Sequence, residues 1–297
     1  MHLRQHFVFS GALPIFAYMN TTVINLRDYE LSGGGKLGES YTHRSNPDVL
    51  LKLYSKQLES IGLEEHERAC KVFRTGVPCP EPGELVRTED GRLSILYKRI
   101  VGKKSYARAL SEHPKRLEEY AESFANVCKK LHSLKPEPGL FPSAKEQYRK
   151  EIGRNPFLNE NERDGLLRFI DGLPNADTCV HGDLHHGNII FTPDGAQYFI
   201  DLSDFCTGTP LFDLGIIMLQ TCWLPEETER ELYHIGLETS RAFWKAFVPA
   251  YFGADASLDE VQAMLQPYAF LRILVTERLT GTPIGRIRPP VHKMIGL

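Results

Sequence analysis

The sequence predicts an α+β protein made of two structural units, the first rich in strands and the second mainly helical. Short apolar runs bounded by glycine, proline or asparagine fill residues 22–101, as expected for strands joined by tight turns. Helical periodicity dominates residues 102–297 and begins with a long amphipathic pattern over residues 113–134. This shift in pattern places a domain boundary near Val101.

The first unit is predicted to contain a hairpin, a central strand, a helix and a further strand. The glycine-rich segment 33–38 is expected to form the turn of the hairpin. The central strand is an apolar run interrupted only by Lys52, and the helix is expected to stop where Gly76 precedes a proline. The predicted strands cover residues 23–31, 40–43, 49–54 and 93–101, and the predicted helix covers residues 64–74.

The second unit is predicted to be built from helices around one short hairpin. The hairpin lies between residues 188 and 201, and the sequence TPDG at residues 192–195 forms its turn. The predicted helices cover residues 113–134, 161–173, 211–223, 226–248 and 258–279.

Composition restricts the possible function. The chain has 297 residues, 42% of them hydrophobic, which is enough to bury a sizeable core. Its net charge of -3 provides no overall positive field that could hold nucleic acid or an anionic membrane. The six cysteines form no CxxC pair, and no apolar run reaches the roughly 20 residues of a membrane span. We therefore expect a cytoplasmic protein that binds neither nucleic acid nor membranes.

The opening segment is ambiguous. Residues 7–18 have the apolar character of a signal peptide, but Pro14 and the missing A-x-A cleavage site argue against that interpretation. Organised structure begins near Thr22, and Met19 could itself initiate translation. We therefore interpret residues 1–21 as an N-terminal extension.

The strongest functional signal is a pair of polar segments at the two ends of the predicted hairpin. Residues 180–188 read VHGDLHHGN, and residues 199–204 read FIDLSD. A tight hairpin would bring Asp201 to the level of Asn188, so that both lie near Asp183. These oxygen-bearing side chains suit Mg²⁺, a hard cation that prefers oxygen ligands.

Phosphoryl transfer would explain these residue types. The transferred group carries charge that Mg²⁺ neutralises, and Asn188 and Asp201 can supply oxygen ligands for the ion. Asp183 would then accept the proton of the acceptor hydroxyl and orient its oxygen for in-line attack.

The combination of HGDxxxxN with the following Ile200-Asp201 resembles the signature of aminoglycoside phosphotransferases, choline kinases and related small-molecule kinases. The resemblance implies a two-lobed protein-kinase-like fold with a nucleotide-binding N-lobe and a catalytic, substrate-binding C-lobe. It also implies ATP or GTP with Mg²⁺ as cofactors and a small hydroxylated acceptor similar to an aminoglycoside, choline or a sugar. We expect a monomer or a homodimer.

The resemblance also implies roles for residues of the first unit. Lys52 is similar to the lysine that contacts the α and β phosphates, and Glu67 is similar to its acidic partner, with Glu64 and Glu65 as close rivals. Backbone N–H groups of a glycine loop would cover the phosphates, and main-chain groups at the end of the last strand would bind adenine. The residues in these two sets are Gly33, Gly34, Gly35 and Ser40 for the phosphates, and Lys98 and Ile100 for adenine.

Several alternatives remain open from the sequence. His185 and His186 could suggest a metal site, but packing of the loop is favoured because adjacent histidines point apart. A nucleotide-binding pseudokinase or regulatory module is the first alternative function, although the set of Lys52, Asp183, Asn188 and Asp201 is intact. Protein kinase activity is the second; it is disfavoured because Leu-Ser, rather than Phe-Gly, follows Asp201.

Overall fold

A computed structural model describes residues 22–35 and 38–297, and these residues divide into two compact units. One unit contains the described residues up to His66 together with Pro82–Arg99, and the other contains Glu67–Glu81 and Ile100–Leu297. The predicted α+β class is confirmed. The sequence prediction assigned all of residues 22–101 to one lobe, whereas the structure groups Glu67–Glu81 with the second unit. The predicted N-terminal extension lies outside the described residues.

The described part of the first unit forms a six-stranded sheet in the order β1-β5-β6-β4-β3-β2. Strand β4 lies in the interior of this sheet, where Leu51 and Leu53 are buried. Lys52 of β4 is paired with Ser40 on one neighbouring strand and with Ile95 on the other. The strands are β1 (Val23–Ile24), β2 (Tyr29–Gly35), β3 (Gly38–His43), β4 (Val49–Leu53), β5 (Pro82–Thr88) and β6 (Leu93–Lys98).

The glycine-rich segment belongs to strands rather than to an open loop. Gly33 and Gly34 of β2 pair with Ser40 and Glu39 of β3, after a register shift that follows Leu31. The predicted hairpin is confirmed, but its strands extend further into the glycines than the sequence indicated. Position 38 has no room for a larger residue than glycine, because a Cβ there would lie 2.5 Å from the carbonyl oxygen of Leu53.

Helix α1 (Glu59–Arg74) begins earlier than predicted and ends where expected. Gly76 follows it with a φ of 81°, in the left-handed region that glycine adopts readily, and this stops the helix. Strand β5 was missed by the sequence analysis, because its proline, glycine and charged residues give no clear alternating pattern.

The second unit is mainly helical, as predicted, and its described residues also include two small sheets. Strands β7 (Lys104–Ser105), β9 (Ile189–Phe191) and β10 (Gln197–Phe199) form one sheet, and β8 (Thr178–Val180) pairs with β11 (Cys206–Gly208). The helices are α2 (Tyr106–Glu112), α3 (Leu117–Ser133), α4 (Ala144–Gly153), α5 (Glu160–Gly172), α6 (Leu211–Met218), α7 (Glu226–Tyr233), α8 (Leu237–Phe252), α9 (Leu258–Thr280) and α10 (Arg288–Ile295).

The predicted single helix over residues 226–248 is wrong. The chain forms α7 and α8 instead, and the break lies at His234, whose φ is 59°. A residue in the left-handed conformation cannot continue a right-handed helix, and Gly236 then precedes the start of α8. The predicted helix over residues 211–223 is confirmed, and its last five residues, Leu219–Trp223, continue α6 as a π-helical turn.

Aromatic side chains form the centre of the core of the second unit. Phe124 of α3 packs edge-on against Phe243 and Phe247 of α8, with ring centroids 5.5 Å and 5.8 Å apart. All three side chains are fully buried, so these contacts fix α3 against α8.

Among the described residues, no helix is both long enough and apolar enough to span a membrane.

Helices α7 and α8 are also joined by a buried carboxyl group. Glu229 of α7 is fully buried, and its Oε2 accepts a hydrogen bond of 2.8 Å from the hydroxyl of Ser240 on α8. Its other oxygen, Oε1, has no hydrogen-bond partner among the described residues. Burial raises the pKa of Glu229 to about 7, although the hydrogen bond from Ser240 opposes this shift.

The raised pKa predicts that Glu229 makes the stability of the fold depend on pH. Between its ordinary pKa of 4.5 and about 7, the folded state binds more protons than the unfolded state, so stability falls as the pH rises through this interval. Replacing Glu229 with Gln should leave stability nearly unchanged near pH 5 and should increase it relative to the native protein near pH 8. Urea unfolding at both pH values measures this difference.

The exposed Glu231 on the same helix provides the control. A Glu231→Gln variant should show no such dependence on pH. An equal response of the two variants would contradict the assignment of the shifted group.

Candidate active site

The segment between β8 and β9 is held in place by one buried carboxylate. Asp213 of α6 is completely buried, and it accepts backbone N–H bonds of 2.7 Å from His181 and 2.8 Å from Gly182. His132 of α3 contacts the same carboxylate through Nε2 at 3.1 Å, and its Nδ1 lies 2.8 Å from the hydroxyl of Tyr251. Three elements therefore fix the backbone immediately before Asp183.

Gly182 is the residue at which this backbone turns. Its φ of 84° lies in the left-handed region, and a Cβ at this position would lie 2.2 Å from the carbonyl oxygen of Asp204. Both the conformation and the close approach require glycine. The loop that carries Asp183 therefore packs directly against the segment that follows Asp201.

The structure brings together the segments that contain Asp183, Asn188 and Asp201. The side-chain amide of Asn188 donates a 2.9 Å hydrogen bond to the carbonyl of Asp183, and the backbone N–H of Ile200 donates one of 3.0 Å to the carbonyl of Asn188. His181 adds a further link, because its Nε2 donates to the carbonyl of Ile200 at 2.9 Å. Asp201 follows directly and has a φ of 58°.

The two proposed metal ligands have suitable donor chemistry for Mg²⁺. Because the Nδ2 of Asn188 is bound to the carbonyl of Asp183, the Oδ1 of the same amide is directed away from that carbonyl. Asp201 adds a carboxylate. Mg²⁺ retains several waters and needs only one or two protein carboxylates or comparable oxygen ligands, so this pair fits the ion. Within the described ranges, no cluster of three or more His, Cys, Asp or Glu side chains is arranged to hold a metal.

The two neighbouring histidines have structural surroundings. His186 is buried, and its ring packs 4.2 Å from that of Tyr233 and 6.1 Å from that of Phe243. Neither ring nitrogen has a hydrogen-bond partner among the described residues, and burial lowers the pKa of His186 to about 3, so the ring is neutral. The Nδ1 of His185 accepts a 3.0 Å bond from the backbone of Gly187. These contacts agree with the packing interpretation.

The sequence analysis did not identify two residues near the carboxylate of Asp183, namely Arg272 and Asp204. Arg272 of α9 donates from Nη2 to Oδ1 of Asp183 at 2.8 Å and from Nη1 to Oδ2 of Asp204 at 3.3 Å. Arg272 is distant in sequence from the HGD segment, and sequence spacing could not connect the two. A usable signal was present, however, because Arg272 interrupts the apolar run AFLRILV, where an arginine requires a buried partner.

The ion pairs determine the charge states of this cluster. Burial would raise the pKa of Asp183, but the charge of Arg272 and the hydrogen bond that it donates lower the pKa below its usual value. The pKa of Asp204 is raised, chiefly by burial and also by the charge of Asp183, although Arg272 opposes the shift. Asp183 is therefore the more strongly ionised carboxyl group of the pair.

In the first unit, Lys52 is paired with Glu65 and not with Glu67. The Nζ of Lys52 lies 2.6 Å from Oε1 of Glu65, and both side chains are largely buried. The Glu67 side chain is 53% exposed and forms a 2.7 Å ion pair with Lys71 on the next turn of α1. The prediction of Glu67 was therefore wrong. Two residues along a helix correspond to a rotation of about 200°, so Glu65 and Glu67 lie on opposite sides of α1. The other rival, Glu64, is exposed.

The remaining predicted nucleotide contacts occupy ordered backbone. Ser40 of β3 pairs in register with both Gly33 and Lys52, which places the glycine segment beside the lysine within the first sheet. Lys98 is the last residue of β6, and Ile100 comes two residues later. The binding of nucleotide by these residues, and by Gly34 and Gly35, stays a prediction.

The chain is similar to known phosphotransferases. Residues 39–247 match the phosphotransferase enzyme family. A homoserine kinase of Methylobacterium sp. (strain 4-46) is 24% identical, over 89% of this chain and 87% of the relative.

Solved structures show the same fold. The aminoglycoside phosphotransferase of Streptomyces rimosus in complex with ADP and streptomycin superposes with a TM-score of 0.53 at 20% identity, over 83% of this chain and 92% of that one. The choline kinase LicA of Streptococcus pneumoniae gives a TM-score of 0.52 at 15% identity, over 90% and 93% of the two chains. These likenesses confirm the predicted kinase-like fold.

The buried Asp213 should make a large contribution to the stability of the second unit. In an Asp213→Asn variant, an NH₂ group would face one of the donors that the carboxylate now accepts, and buried N–H groups would lose a charged partner. We expect the free energy of unfolding to fall by about 3 kcal/mol. Chemical denaturation measures this change.

The exposed carboxylate of Asp171, which forms a surface ion pair with Arg149, provides the control. An Asp171→Asn variant should change stability by less than about 1 kcal/mol. Equal losses in the two variants would contradict the role assigned to Asp213.

Proposed function

The chain belongs to the phosphotransferase enzyme family, and from this premise we propose that it is a kinase that transfers the γ-phosphoryl group of ATP to a hydroxyl group of a small molecule. The observation that supports the proposal most directly is the position of Asp183. Its carboxylate is ionised and fixed by Arg272, and its loop is hydrogen-bonded to Asn188 and packed against the segment that follows Asp201.

In the proposed reaction, the acceptor hydroxyl gives its proton to Asp183 while its oxygen attacks the γ-phosphorus. The bond from that phosphorus to the oxygen bridging the β and γ positions breaks, and the nucleoside diphosphate leaves. Because the transition state is loose, the attacking oxygen needs little extra nucleophilicity, and a low pKa of the base is compatible with this role. Asp183 acts mainly by orienting the hydroxyl.

The proposal also assigns residues to the nucleotide and its metal. Asn188 and Asp201 would hold Mg²⁺, which would offset the negative charge of the phosphates. Lys52, oriented by Glu65, would contact the α and β phosphates. Backbone groups of the glycine segment with Ser40 would cover the phosphates, and those of Lys98 and Ile100 would bind adenine. The ADP bound by the Streptomyces rimosus relative supports the choice of an adenine nucleotide, with GTP as the alternative.

The acceptor is proposed as a class. The relatives named above are a homoserine kinase, an aminoglycoside phosphotransferase and a choline kinase, whose names share a small hydroxylated acceptor. A pseudokinase is disfavoured because Lys52, Asp183, Asn188 and Asp201 are all present. The sequence Asp201-Leu202-Ser203 lacks the Phe-Gly pattern of protein kinases, which favours a small molecule over a protein substrate.

Replacing Asp183 with Asn should abolish most of the transfer. A panel of homoserine, choline, aminoglycosides and simple sugars, assayed by coupled release of ADP, identifies the acceptor with the native protein. Asp183→Asn should then lower kcat by at least about a hundredfold, while the affinity for MgATP measured by calorimetry stays nearly unchanged. The exposed Asp194 of the hairpin turn provides a control, and Asp194→Asn should retain full activity. Retention of more than about a tenth of kcat in Asp183→Asn would contradict the proposal.

The pairing of Lys52 with Glu65 gives a second prediction. Glu65→Gln removes the charge that orients Lys52, and we expect the KM for ATP to rise about tenfold, in line with the loss of one charge-assisted hydrogen bond. Glu67→Gln on the same helix should leave this KM unchanged. Steady-state kinetics at saturating acceptor compares the two variants, and a larger effect from Glu67→Gln would contradict the assignment of Glu65.

A further inference from the structure

We propose that Arg272 positions the catalytic base: it holds Oδ1 of Asp183, which leaves Oδ2 as the oxygen that receives the proton of the acceptor. We call Arg272, Asp183 and Asp204 together the carboxylate clamp. The inference rests on the proposed kinase function and extends it by naming a positioning residue and the reactive atom.

The geometry of the guanidinium group supports this role. Its Nη2 donates to Asp183 at 2.8 Å, and its Nη1 donates to Asp204 at 3.3 Å and approaches the carbonyl of Gly182 at 3.4 Å. A planar guanidinium bound through two nitrogens has one orientation, unlike the ammonium group of a lysine. Arg272 therefore fixes the direction of the Asp183 carboxylate and not only its charge.

The surroundings of Arg272 make this position rigid. Its side chain is only 14% exposed, and its neighbours Leu271, Ile273 and Leu274 on α9 are buried in the core. An arginine in such surroundings is stable only because its partners satisfy its charge. The long helix α9, rather than a mobile surface side chain, thus determines where the base is held.

The two oxygens of Asp183 have different surroundings. Oδ1 accepts the bond from Arg272, whereas Oδ2 has no hydrogen-bond partner among the described residues. The side chain of Asp183 is 30% exposed, so a small molecule can reach it. In the proposed step, the acceptor O–H bond breaks, its proton moves to Oδ2, and the acceptor oxygen bonds to phosphorus as the nucleoside diphosphate leaves.

The clamp also links both catalytic segments. Asp183 belongs to the HGD loop, and Asp204 belongs to the turn that follows Asp201. Because one side chain binds both, loss of Arg272 would leave two neighbouring carboxylates without their shared cation and would allow the base to move away from the acceptor. Small displacements of a catalytic group reduce the rate strongly even when substrates still bind.

The test compares Arg272 with another arginine of the same helix. Arg278 of α9 forms a partly buried ion pair with Glu151 of α4, which makes it a matched control for the loss of a salt bridge. Arg272→Ala should lower kcat by about a hundredfold with less than about a threefold change in the KM for ATP. Arg278→Ala should retain kcat even where thermal unfolding shows a similar loss of stability.

Two further measurements separate positioning from a merely structural role. Arg272→Lys keeps the charge but lacks the planar fork, and we expect it to recover less than about a tenth of kcat although it folds like the native protein. Guanidinium ion, added below concentrations that unfold the protein, should restore activity to Arg272→Ala in a saturable manner. It should not accelerate Arg278→Ala or the native protein.

The outcomes distinguish this inference from the function on which it rests. If no acceptor is phosphorylated by the native protein, or if Asp183→Asn retains more than about a tenth of kcat, the proposed function fails. If the native protein is active and Asp183→Asn is not, the clamp is overturned by an Arg272→Lys variant with native kcat, or by an Arg272→Ala variant as active as Arg278→Ala. Should Arg272→Ala fail to fold, Arg272→Lys alone decides the outcome.

Discussion

The candidate active site depends on the carboxylate of Asp213. This buried side chain accepts two successive backbone N–H groups, from His181 and Gly182, and is itself held by His132. Paired backbone donors of this kind would be costly to bury without a charged acceptor. The acceptor lies on α6, one of the buried helices, so the loop that carries the proposed catalytic base is anchored to the core. This loop needs no regular secondary structure of its own.

The sequence predicted most of what local patterns can determine. The hairpin that joins Asn188 to Asp201 follows from its turn residues, and the structure contains it with the predicted turn. The helix after the central strand ended where Gly76 indicated. The HGD motif identified the segments that meet, because its residue types and spacing carry specific chemistry.

Other features depend on contacts that no local pattern encodes. Local sequence could not show whether Glu65 or Glu67 is the partner of Lys52, because packing determines which side of α1 faces the lysine. Arg272 contacts Asp183 across a large separation in sequence. The break at His234 was missed because a histidine occupies the left-handed position where glycine usually ends a helix, and Gly236 comes only two residues later.

The backbone of Asp201 has a consequence for how this protein can be engineered. Its left-handed conformation costs a residue with a Cβ about 1 kcal/mol, which glycine would not lose. Glycine there would relieve the strain but would remove the carboxylate proposed to bind magnesium. Selection for heat resistance alone would therefore favour well-folded variants that lack this proposed metal ligand. A library built around this position must be screened for turnover before it is screened for melting temperature.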